Sequence, residues 1–307
     1  MKTAVIGGTG HIGKFLVPML IEQGCSVTVI TRGGAPRPAT TAWQGVRMIA
    51  ASYKRADEPW RKLIAGLGAE AIVDILGSDV PGTYEAARGA CRHYVACGSI
   101  WMYGQAKTVP TPEQTQGPCE FEWYAMRYAE LQATLAKARG DGMAFTAVMP
   151  PNICGPGKVP IDCRGGRDVA AHRSHIRGEP VTLPSGCQTL IGPCDASDVA
   201  RGFALAVASP DKAAGEVFNV GSAYALTAPQ LVRTYADIYG TTIPIAYVPW
   251  EQFLNDVLPD AGANFHFRGH MAPDISKVRS ALGYRPQFTP EQTLARAVEW
   301  MRGQKLI

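Results

Sequence analysis

The chain has 307 residues, of which 46% are hydrophobic and 18% are charged, and its formal net charge is +4. This length allows two compact units, or one domain with an attached lobe. The net charge is small and no block of Lys and Arg stands out, so neither a nucleic-acid nor a membrane partner is expected.

The eight cysteines form no Cys-x-x-Cys pair, and several lie in apolar runs. Free cysteine behaves as a small hydrophobe in such runs, so we predict reduced thiols in a cytoplasmic protein. The apolar run at the N-terminus is too short for a signal peptide, and none reaches the ~18 residues of a membrane helix.

In the first half of the chain, short apolar runs alternate with helical patterns. The predicted order is a strand at 3–7, a helix at 11–24, strands at 26–32 and 46–51, a helix at 58–68, a strand at 70–77, a helix at 82–91, a strand at 93–99, a helix at 121–140 and a strand at 143–150. Such alternation indicates a parallel sheet that is covered on both faces, and continuously apolar strands fit this double burial.

The second half begins with a stretch rich in Pro and Gly at 150–166, which predicts loop. Further predicted elements are a helix at 196–209, a strand at 215–222, and helices at 228–239, 250–258, 273–282 and 290–302. The predicted fold class is therefore α/β, a doubly wound parallel sheet of the Rossmann type with a smaller C-terminal lobe. The large domain is expected to comprise residues 1–150 and roughly 196–221, and the lobe residues 151–195 and 222–307.

A glycine-rich loop follows the first predicted strand. The sequence GGTGHIG places Gly7, Gly10 and Gly13 at G-x-x-G-x-x-G spacing between a strand and a helix. Glycines let the backbone approach a pyrophosphate, and the helix N-terminus offers free amides and a partial positive charge to it. This context predicts a dinucleotide-binding loop; a tight turn that binds no ligand is the alternative.

The end of the second strand bears on the choice of dinucleotide. An acidic residue there would accept hydrogen bonds from the adenosine ribose, but the sequence has Thr31 and Arg32. The Arg32 guanidinium can pair with a 2′-phosphate, which favours NADP over NAD. NAD stays possible, because Arg32 could instead stack on adenine or face solvent.

Several motifs together resemble the extended short-chain dehydrogenase/reductase family, in its NAD(P)-dependent epimerase/dehydratase branch. They are GGTGHIG at 7–13, CGSIWMYG at 97–104, WYAMRYAE at 123–130, PPNICGPG at 150–157, FNVGS at 218–222 and DISKVRSALGYRP at 274–286. The resemblance implies that NAD(P) binds on the large sheet and that the C-terminal lobe holds the substrate. Many members act on nucleotide-linked sugars, and others oxidise or reduce carbonyl and hydroxyl carbons.

The resemblance also assigns roles to particular residues. Ser99 would polarise the substrate oxygen, and Tyr124 would move the proton. In the family, a Lys four residues after this Tyr lowers its pKa and holds the nicotinamide ribose, but Tyr128 occupies that position here. Alternative readings are a turn hydroxyl for Ser99 and a half-buried helix aromatic for Tyr124.

The absence of the lysine has an energetic consequence. Free tyrosine has a pKa of about 10, and lowering it to about 7 requires about 4 kcal/mol of differential stabilisation. A nearby ammonium can supply much of this, whereas the neutral phenol of Tyr128 cannot. We expect Tyr128 to pack or to contact the ribose rather than to move the proton, and Arg127, one step round the helix, to point elsewhere.

The resulting interpretation is an NADP-dependent oxidoreductase or epimerase-type enzyme that acts on a carbonyl or secondary alcohol of a small molecule. Its redox activity would be slow or biased toward reduction. One alternative is a non-redox isomerase or dehydratase-like enzyme on the same scaffold. The other is a regulatory or RNA-associated protein that binds a dinucleotide without hydride chemistry.

We predict contacts to the cofactor from the following residues: Gly7, Thr9, Gly10, His11, Ile12, Gly13, Arg32, Leu76, Gly77 and Ile153. No metal site is expected, because the spaced histidine pairs at 172/175 and 266/270 have no third ligand at fixed spacing. A histidine could still supply the acid or base that position 128 fails to support. The resemblance further implies a homodimer formed through the helix at 121–140.

Overall fold

The computed structural model describes residues 1–33 and 37–307. The strands of this part of the chain are β1 (Lys2–Ile6), β2 (Ser26–Thr31), β3 (Arg47–Ala50), β4 (Ala71–Asp74), β5 (His93–Cys97), β6 (Ala144–Met149), β7 (Asn152–Cys154), β8 (Val181–Pro184), β9 (Leu190–Ile191), β10 (Pro193–Asp195), β11 (Val217–Asn219), β12 (Leu226–Thr227) and β13 (Ile245–Val248).

The helices are α1 (Gly13–Glu22), α2 (Glu58–Ala65), α3 (Val80–Ala87), α4 (Glu122–Asp141), α5 (Val169–Ile176), α6 (Ala196–Ala208), α7 (Pro210–Ala213), α8 (Ala228–Tyr239), α9 (Trp250–Gln252), α10 (Ala261–Arg268), α11 (Ser276–Leu282) and α12 (Pro290–Gly303). Short 3-10 helices occur at Thr41–Trp43 and Ile100–Tyr103. No helix in the described part of the chain is both long enough and apolar enough to cross a membrane.

Seven strands form one parallel sheet in the order β3-β2-β1-β4-β5-β6-β11. Every residue of β4 and β5 is buried, as expected for strands covered on both faces. The strand order reverses between β1 and β4, so a crevice opens there at the carboxyl ends of the strands. This arrangement confirms the predicted doubly wound α/β fold.

Two apolar layers cover the sheet. On one face, α1 and α6 pack against each other and against alternate side chains of β1, including Val5. On the other face, α2, α3 and α4 pack around Ile6 of β1 and Tyr94 of β5. Successive strand residues point to opposite faces, which is why neighbouring residues such as Val5 and Ile6 belong to different layers.

The C-terminal half adds three two-stranded sheets, in which β7 pairs with β10, β9 with β12, and β8 with β13. A third apolar cluster, built largely from α8, α12 and β8, packs among these elements. The segment containing β11 returns to the large sheet beside β6. The division into a domain and a lobe at the boundaries given above stays a prediction.

Several predicted elements end earlier in the structure. The strand predicted at 70–77 stops at Asp74, because the Asp74 carboxylate accepts the amides of Leu76 at 3.0 Å and Gly77 at 2.8 Å and so turns the chain. The helix predicted at 250–258 is present, but its type changes along its length. α9 passes into a π-helical turn at Phe253–Val257, where Leu258 N donates to Phe253 O at 2.8 Å.

Candidate active site

The glycine-rich loop forms a compact turn after β1. Gly7 has φ of +82°, a region that favours glycine, and a Cβ there would lie 3.1 Å from Leu76 Cγ. Gly10 N donates to Gly7 O at 2.9 Å, which closes the turn. The loop therefore has the tight backbone turn that lets a strand lead into a helix N-terminus close to a pyrophosphate group.

Two more glycines bring α1 close to the sheet. A Cβ at Gly13 would overlap the backbone of Gly8, and a Cβ at Gly8 would lie 2.8 Å from a Val29 methyl. Ile12 precedes the helix and has no polar side chain to cap it. Within the first turn, Lys14 N donates to Gly10 O and Phe15 N to Ile12 O, both at 3.1 Å, so the partial positive charge of the helix N-terminus is what this end of α1 offers to an anion.

The edge of the loop meets the end of β2. The hydroxyls of Thr9 and Thr31 lie 3.3 Å apart, which ties the glycine loop to this strand. Arg32 follows β2 directly and is exposed. This exposure fits both the predicted contact with a group bound at the loop and the alternative of a solvent-facing side chain, so the contact stays a prediction.

The end of β4 lies beside the same loop. Leu76 is 44% exposed and approaches Gly7, whereas Gly77 is buried and has φ of +57°. The glycine loop and the turn at Leu76 and Gly77, both of which are predicted to contact the cofactor, are thus neighbours in space. Asp74 holds this turn in place and is itself bound by the hydroxyls of Tyr53 at 2.7 Å and Tyr94 at 2.9 Å.

A cavity of about 280 Å³ opens at the carboxyl ends of β5 and β6. It is lined by Gly98, Ser99, Trp101, Tyr124, Arg127, Pro150, Pro151, Asn152, Ile153, Lys158, Arg167 and His266. The structure therefore brings Ser99, Tyr124 and Ile153 together, although they come from three separate segments of the sequence.

Ser99 stands between β5 and the following 3-10 helix. Its Oγ accepts the amide of Trp101 at 3.3 Å, so the side chain caps that helix while it lines the cavity. A serine hydroxyl that accepts one hydrogen bond can still donate its proton to another oxygen. The capping role and the predicted polarising role are therefore compatible.

Tyr124 lies in the first turn of α4 and packs against aromatic rings. The Trp101 ring centroid is 5.6 Å from that of Tyr124, and the Phe121 centroid is 6.2 Å away. Burial raises the pKa of the Tyr124 phenol above its ordinary value, and the nearby Arg127 charge opposes this rise. The phenol is therefore the neutral acid near pH 7.

Tyr128 has a different environment. Its ring packs edge-on against Tyr103, with centroids 5.7 Å apart, and burial raises the pKa of the Tyr128 phenol while the backbone amide of Thr115 opposes the rise. Tyr128 is not among the described residues that line the cavity. The structure thus places it in a packing role, and any part in the chemistry stays a prediction.

Arg127 lines the cavity, so the expectation that it points elsewhere is wrong. Its Nη2 donates to Cys97 O at 3.0 Å and to Leu76 O at 3.4 Å, at the ends of β5 and β4. A Cβ at Gly77 would overlap this nitrogen. The sequence contained the signal, because residues three apart on a helix are neighbours.

Sequence reasoning also missed two cations from the loop after β7. Lys158 and Arg167 line the cavity, and Arg167 donates to Ile153 O at 2.8 Å and Val159 O at 2.9 Å. Burial, followed by the Arg167 charge, lowers the pKa of Lys158. Among the described lining residues none carries a carboxylate, so the cavity suits an anionic ligand.

The predicted cofactor contact His11 lies close to these cations. Burial, followed by the charges of Lys14, Lys158 and Arg167 in that order, lowers the pKa of His11 to about 4. The imidazole is therefore neutral near pH 7, so it adds no charge to this end of the crevice.

The remaining histidines are held by protein groups. His172 bonds the Tyr239 hydroxyl at 2.8 Å, His175 accepts the amide of Cys163 at 3.4 Å, and His270 accepts the amide of Leu190 at 3.1 Å. No cluster of three or more potential metal ligands occurs within residues 1–33 and 37–307.

His266 is the histidine that reaches the cavity. Its Nδ1 lies 3.3 Å from Asn152 Nδ2, and its ring packs edge-on against Trp101. Burial lowers the pKa of His266 to about 3, so the imidazole is neutral near pH 7. Because Asn152 Nδ2 can only donate, His266 Nδ1 accepts this bond and the ring proton lies on Nε2, which can donate to a substrate but supplies no positive charge.

Comparison with known proteins identifies the family. Residues 3–221 match the model of the NAD dependent epimerase/dehydratase family. The chain belongs to this family. It is an NAD(P)-dependent enzyme of the short-chain dehydrogenase/reductase type, as the motifs predicted.

Two curated relatives span almost the whole chain. The dTDP-6-deoxy-L-talose 4-dehydrogenase (NAD(P)(+)) of Kitasatospora kifunensis is 25% identical over 321 residues, covering 97% of this chain and 93% of that protein. The chloroplast stem-loop binding protein of 41 kDa b of Arabidopsis thaliana is 24% identical over 304 residues, covering 94% of this chain and 75% of that protein.

Among solved structures, the UDP-glucose 4-epimerase of Thermotoga maritima with UDP-glucose superposes with a TM-score of 0.74. It is 23% identical, and the match covers 99% of this chain and 100% of that one. This similarity supports the fold and does not identify a substrate.

Proposed function

We propose that this chain is an NADP-dependent oxidoreductase or epimerase-type enzyme that acts on a carbonyl or secondary alcohol of a small molecule. The observation that carries the proposal is the shared cavity of Ser99 and Tyr124. Two hydroxyl side chains from separate segments converge at the carboxyl edge of the sheet, close to a loop shaped for a pyrophosphate.

The two hydroxyls have different roles toward the substrate oxygen. Ser99 donates its proton to that oxygen and so polarises the reacting carbon. Tyr124 transfers a proton to the same oxygen in reduction and removes it in oxidation. The bound nicotinamide supplies or accepts the hydride. Because the Tyr124 phenol is neutral near pH 7, reduction starts from the required protonation state.

The exposed guanidinium after β2 supports NADP as the preferred dinucleotide. Arg32 can form paired, charge-assisted hydrogen bonds with a 2′-phosphate, and Thr31 beside it has no carboxylate that would repel one.

The charge of the cavity supports an anionic substrate. Lys158 and Arg167 face it, and they suit a phosphate or carboxylate attached to the reacting molecule. Nucleotide-linked sugars carry such phosphates, and the names of the similar dehydrogenase and epimerase refer to sugars of this kind. They are therefore the first compounds to test.

The test combines binding and turnover with the purified full-length chain. NADPH, NADH and their oxidised forms are titrated, and their oxidation or reduction is followed with nucleotide-linked sugars and a panel of simpler carbonyls and alcohols. We expect tighter binding of NADPH than of NADH, and turnover that falls at least about a hundredfold in Tyr124→Phe.

A matched control separates chemistry from folding. Tyr247 is 53% exposed and does not line the cavity, so Tyr247→Phe removes a hydroxyl of the same type without affecting turnover. Tight binding of NADPH without turnover of any compound would overturn the redox proposal.

One relative supports a second candidate, in which the chain binds nucleic acid. The stem-loop binding protein matches 94% of this chain. Mobility-shift assays with RNA stem-loops, at two salt concentrations, test this function directly. Sequence-selective binding without cofactor turnover would favour it, whereas weak binding that disappears with salt would not.

A further inference from the structure

We propose that Arg127 supplies the positive charge beside Tyr124 that the helix lacks at position 128. Arg127 would then be a positioning residue for proton transfer, since it acts through the phenol. The proposal takes the reaction from the function proposed above, but the charge itself can be tested without any turnover.

The geometry of α4 places this charge on the correct side of the helix. Residues 124 and 127 are three apart, so their side chains are neighbours on one face, and both line the cavity. Residue 128 is four positions from Tyr124, but its ring packs against Tyr103. The face that meets the cavity therefore carries a guanidinium and not the ring of Tyr128.

The backbone fixes the guanidinium in place. Arg127 Nη2 is bound to Cys97 O at 3.0 Å and to Leu76 O at 3.4 Å. Gly77 provides the space for it, because any Cβ at that position would overlap Nη2. A guanidinium has five N–H donors, so these contacts leave others free to face the cavity.

Neutral carbonyls do not cancel the Arg127 charge. The partners that the structure gives it are carbonyl oxygens and the ring of Trp123, whose centroid lies 5.8 Å from Cζ. A guanidinium group carries a permanent charge in proteins, so this charge does not vary during turnover.

Other titratable or charged groups also face Tyr124 or its cavity. They are Cys97 at the end of β5, Cys119 before α4, Lys158 and Arg167 after β7, and His266 on α10. The two thiols oppose ionisation of Tyr124, and Arg127 is the cation that favours it. His266 is neutral near pH 7, because its pKa is lowered to about 3 by burial.

The first experiment measures ionisation of Tyr124 directly. The protein is labelled with 13C-tyrosine, and the Tyr124 signal is assigned by its loss in Tyr124→Phe. We expect Arg127→Gln to raise the titration midpoint of Tyr124 by about one pH unit or more, because removing a neighbouring cation disfavours the phenolate. Arg127→Lys keeps the charge and should stay within about half a unit of the wild type.

The second experiment measures the pH profile of turnover. In alcohol oxidation, the phenolate is the base, so the rate rises with pH through the pKa of Tyr124. Arg127→Gln should shift this rise in the rate to higher pH and lower kcat about tenfold at pH 7, while KM changes less than about threefold. Arg127→Lys should restore the pH profile and the kcat of the wild type.

The outcomes separate this inference from the proposed function. An unchanged Tyr124 midpoint in Arg127→Gln, or equal shifts in the Gln and Lys variants, overturns the charge role. A shifted midpoint in a wild-type protein that turns over no substrate supports the charge role and contradicts the redox function. Arg127→Met provides a second uncharged variant with a long apolar stem if Arg127→Gln does not fold.

Discussion

Two tyrosines four residues apart have different surroundings. Tyr124 packs against Trp101 and lines the cavity, whereas Tyr128 packs against Tyr103 and does not line it. Both lie near the start of α4, but the helix advances about 100° per residue, so four positions displace a side chain by about 40°. Because of this difference, Tyr124 lines the cavity and the half-buried Tyr128 does not.

This placement predicts the result of restoring the lysine of the family pattern. Tyr128→Lys should not accelerate turnover, because position 128 faces Tyr103. It should lower the free energy of unfolding by about 1 kcal/mol through loss of the aromatic pair. Steady-state kinetics and urea unfolding measure both effects, and Tyr128→Phe, which keeps the ring, should match the wild type. A tenfold rise in kcat in Tyr128→Lys would contradict this placement.

We predict that Arg32 makes the chain prefer NADP to NAD. Arg32→Ala should weaken NADP⁺ binding about tenfold or more and leave NAD⁺ binding within about twofold, because the 2′-phosphate loses a charge-assisted partner. Isothermal titration calorimetry measures both affinities. Arg47→Ala is the matched control. Arg47 is also exposed, but it begins β3 and so lies at the amino end of the strands, whereas Arg32 follows the carboxyl end of β2. Equal losses of affinity for NADP⁺ and NAD⁺ would show that Arg32 does not bind the 2′-phosphate.

At the scale of elements, the contact between α1 and β1 determines the binding loop. The helix can approach the strand because Gly13 has no side chain where it meets the backbone of Gly8. The same close approach places the N-terminus of α1 at the end of the glycine-rich loop. We therefore expect helix packing and dinucleotide binding to depend on the same glycine.

We predict that Gly13→Ala impairs both properties. The added methyl overlaps rigid backbone, so the free energy of unfolding should fall by about 1–3 kcal/mol and dinucleotide affinity at least tenfold. Thermal unfolding with and without NADPH measures the two effects. Gly140→Ala is the control, because nothing lies near its Cβ position and alanine favours the helix, so it should be neutral or stabilising. Wild-type affinity in Gly13→Ala would contradict this account.

At the scale of the whole molecule, buried histidines make stability depend on pH. Burial lowers the pKa of His11, His93 and His175 to about 4 and that of His266 to about 3, and it also lowers that of His172. In the unfolded chain their pKa is about 6.5. As the pH falls below about 6.5, the unfolded state therefore binds protons that the folded state excludes.

The folded state should consequently lose stability between about pH 6.5 and pH 4. Each such histidine contributes a slope of at most about 1.4 kcal/mol per pH unit, with stability rising as the pH rises. Urea unfolding at about pH 7, 6 and 5 measures the slope. The Thr146 hydroxyl lies 2.8 Å from His93 Nε2, and His93→Gln can keep this hydrogen bond. The substitution removes one titrating group, so it should reduce the slope by up to about 1.4 kcal/mol per pH unit. An unchanged slope in His93→Gln would assign the acid sensitivity to other groups.

The sequence by itself determined the α/β architecture, the tight glycine turn after the first strand and the family. Strand and helix periods alternate along the first half, and the glycines of the loop are local requirements of a strand–turn–helix unit, so neither needs long-range information. The sequence did not determine where each element ends. Side chains such as Asp74 terminate a strand through hydrogen bonds that secondary-structure propensity does not reveal.

Only the tertiary structure decided which side chains share the cavity. Ser99, Arg127 and Lys158 belong to three distant segments, and their meeting depends on where β5, α4 and the loop after β7 end in space. Arg127 shows the physical reason most clearly. Its spacing from Tyr124 allowed a contact, but the carbonyls of Cys97 and Leu76 and the open space at Gly77 fixed its direction. These are contacts between segments far apart in the chain, so no local pattern encodes them.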